Sequence, residues 1–368
     1  MANFPTQPEL LTTEWLTQIL RSAGQVAHNC HVREFSVQSI GDGVGMVSRV
    51  VRVEVMYDDH GPVGPTSFVM KFAHEVSANR AIGMNQRVYQ REVTFYNQIA
   101  ESVGVPKPAC YFAAVDRRTG ECIIVLEDMR RYRAGDTLAG VRPDEAKLVM
   151  DAVSPLHAAY WGNTDQEVLR DAMRVGSTFA EPFVEAVEGA WRNCGAQFGY
   201  CIPAEINCSL ADYVRELRRL LVLTDDRPQT LVHGDVRLDN VMFGDGDQGP
   251  PVVLLDWQAL MITTPLHDLA IMLSMSATTE TRRSIEDELI RYYHSRVVDL
   301  GVAGYSLEEC FYDYDLAALY LMSVALIIGG AFDPATERGR RLAEEVLRRA
   351  CATVVDRGLL ERIRALSP

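Results

Sequence analysis

The sequence predicts an α+β protein in two lobes: an antiparallel β-rich first third with one main helix embedded in it, then a mostly α-helical remainder. Three observations carry this. A chain of 368 residues is too long for one ordinary core. Val47, Arg49, Val51, Val53 and Val55 alternate with Ser48, Val50, Arg52, Glu54 and Met56, which is the period of a strand. After about residue 129 the apolar spacing turns helical and, apart from residues 230–256, stays so. The lobes are therefore expected at 1–128 and 129–368.

The elements follow in order. Residues 9–24 bring Leu10, Leu11, Trp15, Leu16, Ile19 and Leu20 on or near one face of a helix. Residues 32–73 have β texture, and residues 66–72 form a second apolar run after a Gly/Pro-rich turn at 61–65. Residues 84–101 are helical, with Val88, Phe95, Tyr96 and Ile99 apolar. Residues 110–115 and 121–126 read as strands joined by Asp116-Arg117-Arg118-Thr119-Gly120. Beyond them, helices are expected at 143–161, 180–194 and 209–223, then the β interruption, then helices to the end. The chain shows no internal repeat and no low-complexity tract.

With 48% apolar and 23% charged residues the chain is globular and not disordered. A net charge of -14 argues against nonspecific nucleic-acid binding and is compatible with a cationic ligand. No basic stretch followed by an apolar one opens the chain, so no secretory signal is expected. Residues 316–332 are apolar but short for a span, contain Ser323 and Gly329-Gly330, and follow Asp313 and Asp315. They predict a buried helix and no membrane. The eight cysteines include no CxxC pair, and Cys194, Cys201 and Cys208, seven residues apart, fit no usual zinc spacing. They read as reduced thiols of a cytoplasmic protein. Oligomeric state leaves no mark on the sequence.

The most specific chemical signal is His233-Gly234-Asp235-Val236-Arg237-Leu238-Asp239-Asn240, which follows the apolar Thr230-Leu231-Val232. Phosphoryl transfer needs a carboxylate to orient the attacking hydroxyl and take its proton, and a neutral oxygen ligand for Mg²⁺. Kinase catalytic loops supply these as an Asp and an Asn five positions later, the spacing of Asp235 and Asn240. Downstream, Val252 to Leu255 deliver Asp256 at the end of an apolar strand. A hairpin through Val241-Met242-Phe243 and the turn-rich residues 244–251 would return Asp256 to Asn240, so that both could hold Mg²⁺ on a triphosphate. His233 is expected to brace the loop, Asp239 to be solvated and Trp257 to pack.

Three further segments fit the same chemistry. Gly41-Asp42-Gly43-Val44-Gly45 precedes the alternating strand. It is neither GxGxxG entering a helix nor GxxxxGK[ST]. It suits a glycine-rich loop over phosphates, formed by Gly41, Gly43 and Gly45; an ordinary hairpin is the competing reading. Lys71 lies inside Phe68-Val69-Met70-Lys71-Phe72, where a buried ammonium needs a partner. Glu92 in the following helix is the best one, with Arg91 and Glu101 solvated; the alternative is an edge strand that leaves Lys71 in water. Leu126-Glu127-Asp128-Met129 ends the β-rich third, where in a two-lobed kinase Glu127 and Met129 could read adenine through backbone groups; a plain strand end is the competing reading.

This ordered set resembles the aminoglycoside phosphotransferase and choline-kinase-like superfamily, which includes ecdysteroid-kinase-like members. The matching text is the Gly41–Gly45 loop, Val69-Met70-Lys71, Glu92 in REVTFYNQ, LEDM at 126–129, LHAAYW at 156–161, HGDVRLDN at 233–240, and LLDWQ with PLHDLA at 254–270. The resemblance implies a protein-kinase-like fold and transfer of the γ-phosphate of ATP, or of GTP, to a small-molecule hydroxyl. It implies Asp235 as catalytic base, Asn240 and Asp256 as Mg²⁺ ligands, Lys71 on phosphate and paired with Glu92, and Asp268 as a buttress of the catalytic loop. A helix N-cap is the other reading of Asp268.

Asp256 is followed by Trp-Gln in place of Phe-Gly, Gly234 replaces the Arg of HRD, and only about a dozen residues separate Asp256 from Asp268. These departures disfavour an activation-segment flip and a protein substrate. A nucleotide-binding regulator without catalysis and a protein kinase are the competing functions. The acceptor site is expected among helices at 162–230 and 275–368, where Glu181, Glu185, Glu188, Glu308, Asp313 and Asp315 could attract an amine or simply be solvated.

Overall fold

The computed structural model describes residues 3–40, 47–58, 64–246, 249–331 and 336–366. The chain forms two compact units. One comprises Met1–Ser102, Lys107–Arg133 and Leu255–Gln258; the other comprises Val103–Pro106, Ala134–Leu254 and Ala259–Pro368. The four residues around Asp256 thus pack with the first unit, although the chain on both sides of them belongs to the second.

The first unit is a five-stranded antiparallel sheet. It contains β1 (Val32–Ser39), β2 (Ser48–Tyr57), β3 (Ser67–Ala73), β4 (Cys110–Val115) and β5 (Cys122–Glu127), in the order β1-β2-β3-β5-β4. The alternation read from the sequence sets which face is buried. Val51, Val53 and Val55 point into a core with Phe68, Met70 and Phe72 of β3. Helix α1 (Thr13–Ser22) adds Leu16, Ile19 and Leu20 to that core, and each such side chain contributes about 1.5–3 kcal/mol by leaving water. Thr12 caps α1 by accepting from the Trp15 backbone N–H at 3.1 Å.

One helix was expected over 84–101; the chain instead forms α2 (Ser77–Asn85), α3 (Val88–Thr94), a π-helical turn at Phe95–Ile99 and α4 (Ala100–Val103). The break falls at Arg87, whose φ of 55° is left-handed and ends α2.

The two-residue strand β6 (Arg133–Ala134) stands at the junction in sequence. The second unit holds α5 (Pro143–Tyr160), β7 (Met173–Arg174), α6 (Ser177–Phe198), α7 (Ala204–Asp225) and β8 (Thr230–Val232). These are followed by β9 (Val241–Phe243), β10 (Val252–Leu254), β11 (Met261–Thr263) and α8 (His267–Ile271). A π-helical turn at Met272–Ser276 leads to α9 (Thr279–Asp299), α10 (Leu307–Ala331), α11 (Glu337–Asp356) and α12 (Leu359–Leu366).

The expected hairpin is present: β9 and β10 pair antiparallel, with Val241 opposite Leu254. β11 pairs antiparallel with β8 and parallel with β7. Residues 316–331 of the apolar segment belong to α10, whose most apolar window is 72% buried inside the protein. A Cβ on Gly329 or Gly330 would run into Cys194 and Ala190 of α6, so the glycine pair is where two helix backbones approach closely. All eight cysteines are free thiols.

Candidate active site

In the first unit the chain builds a buried ion cluster around Lys71. β3 is a central strand, with Lys71 opposite Val50 on one side and Ile124 on the other, which removes the edge-strand alternative. Its Nζ lies 2.6 Å from Glu92 Oε2 and 2.6 Å from Asp256 Oδ1. Burial works against the ammonium, but the Asp256 and Glu92 carboxylates outweigh it and hold the Lys71 pKa above its ordinary value. Burial pushes the Glu92 carboxyl upward, while Lys71 and the backbone N–H of Trp257 favour its charged form.

Asp256 itself has φ 62°, a left-handed conformation that Asp tolerates better than most residues. Trp257 packs, as expected, with its ring stacked on Phe95 at 3.7 Å between centroids. Arg91 was expected to be solvated and is buried instead: its Nε donates to the Gln258 carbonyl at 2.7 Å. A guanidinium can stay charged in the interior when backbone carbonyls take its N–H groups. Glu101 is exposed, as expected.

In the second unit the 233–240 loop leaves β8 through Gly234, whose φ is 85°. Asp268 holds this loop from below: Oδ2 accepts the His233 N–H and Oδ1 the Gly234 N–H, each at 2.9 Å. Asp268 is the second residue of α8. It is therefore not that helix's N-cap; its carboxylate serves the loop's donors instead.

His157 Nε2 lies 3.0 Å from Asp268 Oδ2, and His157 Nδ1 lies 2.7 Å from the Tyr293 hydroxyl. A carboxylate only accepts, so His157 Nε2 donates to Asp268. Burial opposes the Asp268 charge, but His157, His233 and His267 hold its pKa down at about 2. His267, buried beside it, is driven down to about 4 by desolvation, against the pull of Asp268 and Asp235.

His233 Nδ1 accepts the Asp235 N–H at 3.2 Å. The Asp235 carboxylate takes a two-pronged contact from Arg237, Nε to Oδ1 at 2.7 Å and the second nitrogen to Oδ2 at 3.0 Å. The Asn240 amide nitrogen donates to the Asp235 carbonyl at 2.9 Å and to Oδ2 at 3.0 Å. Burial disfavours the Asp235 charge; Arg237, His233 and Asn240 outweigh it and keep its pKa below the ordinary carboxylate value. Asp239, expected to be solvated, is ion-paired with Arg338 at 3.2 Å.

The structure therefore joins Lys71, Glu92 and Asp256 in one unit, and His233, Asp235, Asn240 and Asp268 in the other. Both candidate metal ligands offer hard oxygens, which suit Mg²⁺. Asn240 makes its two contacts through nitrogen, so its amide oxygen is not spent on them. Among the described residues no group of three or more His, Cys, Asp or Glu could hold a metal alone.

Glu127 ends β5, its N–H bonded to the Ala109 carbonyl at 2.8 Å and its carboxylate paired with Arg131. Met129 is buried. Gly41, Gly43 and Gly45 lie outside the described residues.

Three contributors were not anticipated. Arg237 stands two residues after the carboxylate it grips. His157 falls within the LHAAYW text on α5. Asp128, inside LEDM, has a side chain only 4% exposed and takes Arg52, Arg130 and Ser67, fixing the end of β5. The acidic side chains considered for an amine acceptor are otherwise engaged or solvated. Glu181 pairs with Arg218, Asp313 with Arg227, and Asp315 with Arg357 and Arg362. Glu185, Glu188 and Glu308 are exposed.

A model of the ecdysteroid kinase-like family matches residues 42–302. Solved structures with the same fold include a choline kinase from Cryptosporidium parvum, at 10% identity and TM-score 0.55, covering 97% of this chain and 100% of that one. An ethanolamine kinase from Plasmodium vivax matches at 12% identity and TM-score 0.53, covering 88% and 83%. An aminoglycoside 2'-phosphotransferase-IIIa solved as its GDP complex matches at 12% identity and TM-score 0.52, covering 94% and 99%. These likenesses show the two-lobed, protein-kinase-like α+β fold expected from the sequence. No curated protein matches the chain.

Proposed function

The chain belongs to the ecdysteroid kinase-like family, and from that membership we propose an ATP- and Mg²⁺-dependent phosphotransferase that moves the γ-phosphate to a hydroxyl of a small molecule. GTP is the alternative donor, and the cytoplasm the compartment. The observation that carries the reading is Lys71 held at 2.6 Å by both Glu92 and Asp256. A fixed, charged ammonium of this kind is what nucleotide phosphates need.

In this reading Lys71 pairs with the phosphates and Glu92 keeps it in place. Asp235 orients the acceptor hydroxyl and takes its proton as the new O–P bond forms. A carboxylate with a lowered pKa is a weak base, so its main contribution is orientation, in keeping with a loose transition state. Asn240 and Asp256 would hold Mg²⁺, which when bound offsets charge on the β- and γ-phosphates. Glu127 and Met129 would read the base, and the 41–45 glycines would cover the phosphates.

The test is purified protein with Mg·ATP and a panel of alcohols: amino alcohols, aminoglycosides, sterol-like alcohols and hydroxyacyl compounds, with mass spectrometry of the products. A phosphorylated product is expected. Asp235→Asn should retain ATP binding and lose roughly 10²–10⁴-fold in turnover. ATP binding with no transfer to any acceptor would favour a non-catalytic nucleotide-binding regulator.

A further inference from the structure

Asp256 owes its position to its neighbours. Its own backbone is left-handed, at φ 62°, a conformation that costs a non-glycine residue about 1 kcal/mol or more and persists where the surroundings over-determine it. The two residues after it are gripped by one helical stretch. The Trp257 ring, fully buried, lies flat on Phe95 with 10° between the planes. The Gln258 carbonyl accepts from Arg91 Nε at 2.7 Å, and the Gln258 amide donates back to Asp256 Oδ2 at 3.2 Å.

Arg91 and Glu92 lie on α3, and Phe95 opens the π-helical turn that continues it. Such turns re-aim side chains within a helix and recur at functional sites. The stretch that fixes Lys71 through Glu92 therefore also fixes the segment that carries Asp256.

We infer that Arg91, Phe95 and Trp257 are positioning residues for the metal-binding carboxylate: they hold Asp256 beside Lys71 in the free protein, so that metal binding does not have to order the segment. This rests on the phosphotransferase reading above. Groups that orient a metal ligand typically change metal affinity by about 10–100-fold when removed.

The test uses the full chain and a non-hydrolysable ATP analogue, measured by calorimetry with and without Mg²⁺, alongside the Mg²⁺ dependence of turnover. In Phe95→Leu the Mg²⁺ concentration for half-maximal effect should rise about tenfold or more. Binding of the metal-free analogue and the acceptor KM should stay as in the wild type. Phe95→Tyr, which keeps the stack, should restore the wild-type response. Arg91→Gln should repeat the Phe95→Leu result, and it carries the test if Phe95→Leu does not fold.

A wild-type Mg²⁺ response in a folded Phe95→Leu or Arg91→Gln protein overturns the inference. So does equal weakening of metal-free and metal-bound analogue. A wild-type protein whose analogue affinity ignores Mg²⁺ overturns the phosphotransferase reading, and this inference with it.

Discussion

Lys71 shows what one buried charge requires of its surroundings. Its side chain is 12% exposed, and Glu92 beside it 3%, so neither could remain ionised alone at modest cost. Replacing Lys71 with Met would leave two carboxylates facing each other without a cation. We expect Lys71→Met to lose about 3–5 kcal/mol of stability, measured by urea unfolding at pH 7, in addition to nucleotide affinity. Unchanged stability would mean that the carboxylates are far better solvated than their burial implies. Lys71 and Glu92 were legible in the sequence, because a Lys within a hydrophobic strand demands a partner. Arg91, one position away, was not: its burial depends on a carbonyl 167 residues distant.

At the scale of elements, the 233–240 loop depends on a glycine and a carboxylate from different places in the chain. Gly234 has φ 85°, and a Cβ there would overlap the Ala259 carbonyl. The main-chain oxygen cannot move aside as a flexible side chain could. Gly234→Ala should therefore cost more than about 1 kcal/mol in backbone terms alone and distort the loop. The expected outcome is loss of turnover larger than that in any surface control, with the melting temperature lowered by a few degrees.

Asp268→Asn keeps the shape but replaces a carboxylate that serves two backbone N–H groups and His157. An expected loss of about 1–3 kcal/mol would appear in chemical denaturation; a neutral result would remove Asp268 as the support of the loop. Both bracing carboxylates, Glu92 and Asp268, lie on helices that run into π-helical turns, at Phe95–Ile99 and Met272–Ser276. The second turn is itself tied to the loop, since Ser276 Oγ accepts the Leu238 N–H at 3.1 Å.

For the whole molecule the buried histidine and aspartate set the response to acid. His267 is held down at about 4 in the native state, below its ordinary value near 6.5. As pH falls below 6.5 the unfolded chain takes up a proton that the native one refuses, so stability declines towards pH 4. Asp268, held at about 2, contributes stability above its unfolded value near 3.8 that is lost between about pH 4 and 2. The two effects run in the same direction. Between pH 7 and 5 the His267 contribution should remove about 2 kcal/mol, read as a shift in the urea midpoint. His267→Gln should flatten most of that slope; an equally steep profile in this variant would assign the acid response elsewhere.

The sequence by itself determined the β-rich first part, the helical remainder, the 233–240 loop and the strand that leads to Asp256. Each of these is written within a few neighbouring residues: Val51, Val53 and Val55 at period two, Asp235 and Asn240 five apart, Val252 to Leu255 before Asp256. Tertiary structure alone decided that Asp256 joins Lys71 across 185 residues and that His157 meets Asp268 across 111. It also decided the burial of Arg91 against the Gln258 carbonyl. Hydrophobic period and turn chemistry act along the chain and leave a local pattern. The partner of a buried charge is chosen by which strands and helices pack together, and no short stretch of sequence records that choice.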